Sequence, residues 1–192
     1  MLQSWNQIVA SAQAAGPQLS NSVSQTSLLP TQARVTLPPG FFSYPGQMLR
    51  ITGQAAVSNV VTTPGTLSFA VMLGATGNIQ AFTSGALQMS TTAHTSLPLW
   101  FQILLTCRAV GNGTSANLMG QGIFTSQVLS NTAVADSVAS SLPTLLGPNT
   151  APAVGTGFDS TIANVLDFMA TFSVSTSPTN ITLHQYMVES AN

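Results

Sequence analysis

The stretch LPLWFQILLTCRA, Leu97 to Ala109, decides the fold class. Its odd positions are all apolar, and this period of two is typical of a β-strand that buries one face. The even positions include the polar Gln102, Thr106 and Arg108, but also Trp100 and Leu104. We therefore expect both faces of this strand to be at least partly covered.

The same alternation recurs in residues 48–57 and 67–73. Further segments have strand composition: 34–37, 78–82, 86–89, 116–127, 166–174 and 179–188. Turn signals rich in Gly and Pro, such as Pro38-Pro39-Gly40, separate the strands. This pattern predicts an all-β fold. A jelly-roll-like β-sandwich is the first interpretation, and an immunoglobulin-like sandwich is the alternative. Residues 130–157 are expected to form the longest irregular segment.

The first 32 residues follow a different pattern. Apolar side chains recur at helical spacing, at Leu2, Trp5, Ile8, Val9 and Ala12, before the stop signal Gly16-Pro17. The spacing predicts a short amphipathic helix, followed by a polar extended arm over residues 18–32. The predicted organisation is a helix and arm over 1–32 and a single β-sandwich domain over 33–192. The stripe of Trp5, Ile8 and Val9 is a candidate protein interface.

Charge is scarce throughout the chain. Three Arg, four acidic residues and no Lys give a formal net charge of −1, and charged residues make up 4% of the sequence. Soluble proteins average about 25%. Because proteins near zero net charge tend to associate, we expect the chain to form an obligate assembly.

The arginines are the second group of candidate interface residues: Arg34, Arg50 and Arg108. A guanidinium pairs directionally with a carboxylate, and such a pair can lie across a subunit boundary. The alternative for Arg50 is a solvent-facing position on its strand. Three arginines are too few to neutralise a footprint of about six to ten phosphates, so no nucleic-acid partner is expected.

The residue inventory disfavours an enzyme. Without Lys there is neither a P-loop nor a Schiff-base nucleophile. His94 and His184 lie at no metal-ligand spacing, and the single Cys107 is predicted to be a buried side chain. We expect no catalytic residues, no metal and no cofactor. No window approaches the ~20 apolar residues of a membrane helix, and the N-terminus lacks the features of a secretory signal. Neither a membrane partner nor export is expected.

Several stretches resemble small virion-associated proteins of tailed bacteriophages: LPPGFF (37–42), GQMLRITG (46–53), TTPGTL (62–67), WFQILLTCR (100–108) and ITLHQY (181–186). The resemblance runs from about residue 35 to the C-terminus and leaves out the predicted helix and arm. Members of such groups are often trimeric jelly rolls, somewhat like the tumour-necrosis-factor fold, that decorate or cement a capsid. The resemblance implies the same for this chain.

The leading functional hypothesis is thus a structural virion protein. It would be a homotrimeric decoration or cement protein on the capsid surface, made in the host cytoplasm and bound to the major capsid protein. Binding the assembled shell more tightly than its free subunits would stabilise the assembled state.

Two alternatives stay open. One is a head- or tail-fibre-type trimeric module that recognises a host surface glycan, for which Phe41, Phe42 and Tyr44 form the nearest aromatic cluster. Phe pairs beside prolines more often fill a core. The other is a coat protein that forms the shell itself, which the small size and the uncharged arm disfavour.

Overall fold

The computed structural model describes residues 6–60, 63–130 and 143–191. Within these ranges the chain forms β-strands and one short 3-10 turn, Thr31–Ala33. The strands are β1 (Asn6–Ser11), β2 (Leu19–Ser20), β3 (Thr26–Ser27), β4 (Val35–Leu37), β5 (Met48–Asn59), β6 (Thr66–Leu73), β7 (Ile79–Thr83), β8 (Leu87–Gln88), β9 (His94–Ala109), β10 (Asn117–Thr125), β11 (Thr144–Gly147), β12 (Asn164–Phe172) and β13 (Asn180–Ala191). No helix in the described ranges has the length and apolar character needed to cross a membrane.

The strands form two antiparallel sheets, which confirms the prediction of an all-β sandwich. The larger sheet has the order β1–β13–β5–β9–β10–β11, and β2 also pairs with β13. The smaller sheet has the order β3–β12–β6–β7, with β4 on β12 and β8 on β6. The strand that decides the fold class, β9, lies inside the larger sheet between β5 and β10.

A stack of phenylalanine rings joins the two sheets at the centre of the core. Phe69 and Phe168 come from the smaller sheet, Phe101 and Phe124 from the larger, and all four are fully buried. The ring centroids lie 5.1 Å apart for Phe69–Phe124 and 4.8 Å apart for Phe101–Phe168. Each such pair contributes about 0.5–1.5 kcal/mol beyond the burial of its surface. The stack therefore helps to fix the relative orientation of the two sheets.

The predicted N-terminal helix is wrong for the residues that the structure describes. Residues 6–11 form β1, which pairs antiparallel with β13 and brings Ile8 opposite Glu189. A bulge between Ile8 and Ala10 interrupts the pairing. An isolated helix of this length is only marginally stable in water, whereas the edge of β13 offers the same residues a row of backbone hydrogen bonds. The first part of the predicted helix, including Trp5, lies outside the described residues.

The rest of the N-terminal segment crosses from one sheet to the other. β2 pairs with β13 in the larger sheet, and β3 pairs with β12 in the smaller one. Leu19, Leu28 and Leu29 are buried in the core along this path. The segment thus lines one side of the sandwich. The predicted domain boundary after residue 32 stays a prediction.

Candidate interaction surface

The outward side of the larger sheet carries a group of exposed apolar side chains. Trp100 is 39% exposed, Leu104 41%, Ile123 38% and Leu146 67%. We call the outward side of this sheet the open face. A contiguous apolar patch on a protein surface marks an interaction site far more often than a single exposed side chain does.

Strand alternation places these side chains outside. Leu99, Phe101, Ile103 and Leu105 on β9 are fully buried, so their even-numbered neighbours must point outward. On β10 the phase is reversed, and Phe124 is buried while Ile123 is exposed. The registers then bring the outward residues of three strands side by side, because β10 pairs with both β9 and β11.

An apolar groove runs along the open face over β9, β10 and β11. It has a volume of about 440 Å³. Leu104, Ile123 and Leu146 line it together with Pro148 and Pro152 from the segment after β11. The amides of two glutamines also line it: Gln102 and Gln121. The groove is thus a concave apolar site with a few hydrogen-bonding groups, as ligand and peptide sites commonly are.

A second arrangement, the tryptophan row, crosses the open face beside the groove. Cross-strand pairing places these residues in line: Gln185, Gln54, Trp100, Thr125 and Thr144. The Thr125 and Thr144 hydroxyls lie 3.2 Å apart. An exposed indole ring is therefore flanked on both sides by uncharged side chains that can donate and accept hydrogen bonds.

Two of the charged side chains on the open face, Arg50 and Glu189, neutralise each other within the chain. Arg50 Nε donates to Glu189 Oε2 at 2.8 Å, and these residues are direct cross-strand neighbours on β5 and β13. Arg108 lies exposed near the end of β9 and forms no ion pair with another described residue. Of the predicted interface arginines, Arg50 and Arg108 thus belong to the larger sheet, and the expectation that an arginine pairs across a subunit boundary stays a prediction.

Arg34 lies elsewhere, against the smaller sheet. Its Nη2 is 2.8 Å from Asp167 Oδ2, an ion pair without good hydrogen-bond alignment. Asp167 is fully buried, and its Oδ1 accepts hydrogen bonds from Ser27 Oγ at 2.6 Å and from the Phe168 amide at 2.8 Å. This carboxylate therefore anchors the N-terminal segment to β12. Burial, and to a lesser degree the charge of Asp167, raises the pKa of Tyr186, which stays neutral.

The other predicted interface residues occupy mixed positions. Ile8 is 61% exposed on β1, at the opposite edge of the larger sheet from the groove, while Val9 packs partly against the core. Phe42 is buried and meets the Phe158 ring edge-on at 5.6 Å. Tyr44 is exposed. The aromatic cluster considered for glycan binding is therefore split between core and surface.

Potential metal ligands do not cluster in the part of the chain that the structure describes. Among the described residues, no group of three or more His, Cys, Asp or Glu side chains is close enough to hold a metal ion. Cys107 is buried, as predicted, and burial raises the pKa of its thiol. The open face thus has apolar area, an indole ring, neutral hydrogen-bonding groups, one ion pair and the exposed Arg108.

No protein-family model matches the chain, and no curated protein matches it. One similar solved structure is the CBM2 module of Lactobacillus casei BL23 phage J-1 evolved Dit, with 9% sequence identity, a TM-score of 0.35, and coverage of 100% of this chain and 98% of that chain. At that TM-score the similarity carries no argument about this chain.

Sequence reasoning missed most of the groove. Ile123 lies in a predicted strand. The alternation of apolar and polar residues along β10 was the signal that could have predicted its outward position. Leu146, Pro148 and Pro152 fall in the segment predicted to be irregular, where no periodic pattern marks them. Only Trp100 and Leu104 were singled out by the sequence, as unusual residues on the polar side of β9.

Proposed function

We propose that this chain is a structural protein of a tailed-phage virion, which acts as a homotrimer that decorates and stabilises the head shell. The observation that carries the proposal is the open face, where exposed apolar side chains on β9, β10 and β11 lie beside the internal ion pair of Arg50 and Glu189. Burial of such a surface under another protein stabilises the complex by roughly 25 cal/mol per Å² of apolar area. It has little to offer a charged partner.

The location on a virion rests on the sequence resemblance to tailed-phage proteins. In this proposal the partner on the shell is the major capsid protein, and the site is the capsid surface. The protein acts by mass action, because a ligand that binds the assembled shell better than free subunits shifts the equilibrium towards assembly.

The proposal includes the jelly-roll topology. Two four-strand orders support it, β1–β13–β5–β9 in the larger sheet and β4–β12–β6–β7 in the smaller one. The chain moves repeatedly between them, from β4 to β5 to β6 and again from β9 to β12 to β13. This interleaving of two sheets favours a jelly roll over an immunoglobulin-like sandwich. β10 and β11 then extend the larger sheet beyond β9.

Two measurements test the proposal. Size-exclusion chromatography with light scattering should give three times the chain mass at micromolar concentration. Purified protein mixed with expanded empty heads should bind saturably and raise the temperature at which the heads come apart. Saturable binding to host cells, with no binding to heads, would overturn the decoration role.

A second candidate function is favoured by the tryptophan row. A head- or tail-fibre-type module that binds a neutral host glycan needs an aromatic ring, on which the C–H face of a pyranose can stack, and amides that bond its hydroxyls. Trp100 and Gln54, paired on neighbouring strands, supply both.

For this second candidate, Trp100→Ala should reduce binding to host cells by about tenfold or more, which corresponds to about 1.4 kcal/mol. Cell binding is measured by flow cytometry with labelled protein. Leu97→Ala is not a suitable control because it touches the core, whereas Tyr44→Ala removes another exposed aromatic ring away from the row. Equal binding by the wild type and Trp100→Ala would rule out the row as a glycan site.

A further inference from the structure

We propose that the open face is the contact between copies of this chain in its oligomer, so that a second copy, and not the capsid shell, covers the apolar groove. This inference rests on the proposed function in one respect: it takes the protein to act as an oligomer. It adds which surface makes the oligomer and leaves the rest of the molecule to meet the shell.

The two outward sides of the sandwich differ in how far the chain itself covers them. On the smaller sheet, Met72 and Asp167 are neighbours on the outward side, yet both are buried. The N-terminal segment pairs with β12 at the edge of this sheet, and its side chains reach both residues, with Gln25 Nε2 3.9 Å from Met72 Sδ and Ser27 bonded to Asp167. On the larger sheet, no described residue covers the exposed side chains of the groove. Among the described residues, the chain therefore covers part of the outward side of the smaller sheet and leaves the groove of the larger sheet open.

The size of the open face suits a contact between copies. Six strands spaced by about 4.8 Å give a width of about 24 Å, and the pairing of β5 with β13 gives a length of about 34 Å. The area is therefore up to about 800 Å², close to what each partner contributes to a stable protein interface.

The charge pattern also suits a second copy as the occupant. Any contact between copies brings the charges of one face near those of another, and unpaired like charges would repel. On this face Arg50 and Glu189 are already paired at 2.8 Å within each chain. Arg108 is exposed near the end of β9 and lies outside the groove, whose lining has only apolar, amide and hydroxyl side chains and two glycines. A second copy that covers the groove therefore brings no like charges together there.

A contact of this extent also covers Trp100, which lies two residues from the groove residue Gln102. The tryptophan row then cannot bind a glycan in the same oligomer. The inference and the second candidate function are therefore mutually exclusive, and one set of variants distinguishes them.

The test uses charged substitutions at positions with exposed side chains. Ile123→Asp and Leu146→Asp place a carboxylate in the groove. Ile162→Asp is the matched control, since Ile162 is 42% exposed and lies outside the larger sheet. Circular dichroism checks that each variant is folded. By light scattering and sedimentation, the groove variants should dissociate with a dissociation constant raised about tenfold or more, and the control should match the wild type.

Cross-linking gives a second readout that does not depend on weakening the oligomer. Cys107 is the single cysteine and is buried, so an introduced thiol is the one that reacts. Leu146→Cys should give covalent dimers with a short bis-maleimide, and Ile162→Cys should not.

The outcomes separate the inference from the proposed function. A wild-type monomer that binds heads, or groove variants that stay oligomeric but lose head binding, would overturn the inference and keep the decoration role. If the groove variants dissociate and the wild type does not bind heads, the inference is kept and the decoration role is overturned. The third outcome concerns Trp100→Ala. If this variant stays oligomeric but binds cells less well than the wild type, a glycan reaches the tryptophan row in the oligomer, and the inference is overturned.

Discussion

At the scale of single residues, the ion pair of Arg34 and Asp167 is the most consequential contact of the N-terminal segment. Asp167 is fully buried, while the Arg34 side chain is 41% exposed. Removing the arginine therefore has a different energetic cost from removing the aspartate. A buried carboxylate without its cation has lost its water and its partner, whereas a half-exposed guanidinium without its anion is still hydrated.

This asymmetry predicts unequal stabilities for two variants that each remove one charge. Arg34→Gln should lower the free energy of unfolding by about 2–3 kcal/mol, because the Asp167 charge stays buried and unpaired. Asp167→Asn should cost only about 1–2 kcal/mol, since its amide oxygen can still accept the bonds from Ser27 and Phe168. Urea denaturation followed by circular dichroism measures both. A larger loss for Asp167→Asn than for Arg34→Gln would contradict the assigned burial.

At the scale of the strand, β5 is shaped to receive the phenylalanine stack. A Cβ on Gly53 would collide with the Phe101 ring and with the Gln185 carbonyl oxygen. The space left by this glycine lets Phe101, on the neighbouring β9, lie flat against Phe168. A residue without a side chain in the middle of a long strand thus has a packing role.

Gly53→Ala should therefore lower the free energy of unfolding by about 1–3 kcal/mol through overpacking, even though Ala has the better strand propensity. Gln54→Ala is the control, since Gln54 is the next residue on β5 and points outward. Thermal unfolding by calorimetry compares the two. If Gly53→Ala were as stable as Gln54→Ala, the Phe101 ring could not pack as closely against Gly53 as the structure places it.

The strands of the sheets were predictable from sequence in proportion to their length. β5, β6 and β9 have clear alternation, and the structure contains them near the predicted bounds. β11 has four residues and pairs only with β10, so its identity depends on a partner that no local pattern reveals. The groove, which needs β11 and the prolines after it, was unpredictable for the same reason.

The helix prediction failed because short apolar patterns are ambiguous. Ile8, Val9 and Ala12 fit a helical stripe, yet Ile8 and Ala12 also fit the phase of a strand. The edge of β13, far away in sequence, decides between the two by offering backbone hydrogen bonds. Tertiary pairing therefore overrides the local signal, as it commonly does for segments of a few residues.

At the scale of the whole molecule, the scarcity of charge changes how any oligomer responds to salt. The described chain holds two ion pairs, Arg34 with Asp167 and Arg50 with Glu189, and both are internal. If the open face joins copies through apolar contact, added salt has few charges to screen. Association should then depend on buried area and hardly on ionic strength.

We therefore expect the dissociation constant of the oligomer to change by less than about twofold between 0.05 and 0.5 M NaCl, since screening acts on exposed charges only. Sedimentation velocity at several protein concentrations measures it. Weakening by about tenfold would instead indicate that an arginine pairs across the subunit boundary, and Arg108→Gln would then reproduce the effect at low salt.

The pairing of β1 with β13 has a practical consequence for anyone who wishes to attach something to this protein. Asn6 lies directly opposite Ala191 in the register, so the first and last described residues emerge at the same corner of the larger sheet. Peptides fused directly before Asn6 and directly after Ala191 would leave from one place. A single short linker is enough to join these two residues, which makes the fold a candidate for circular permutation and for presenting two tags as one cluster.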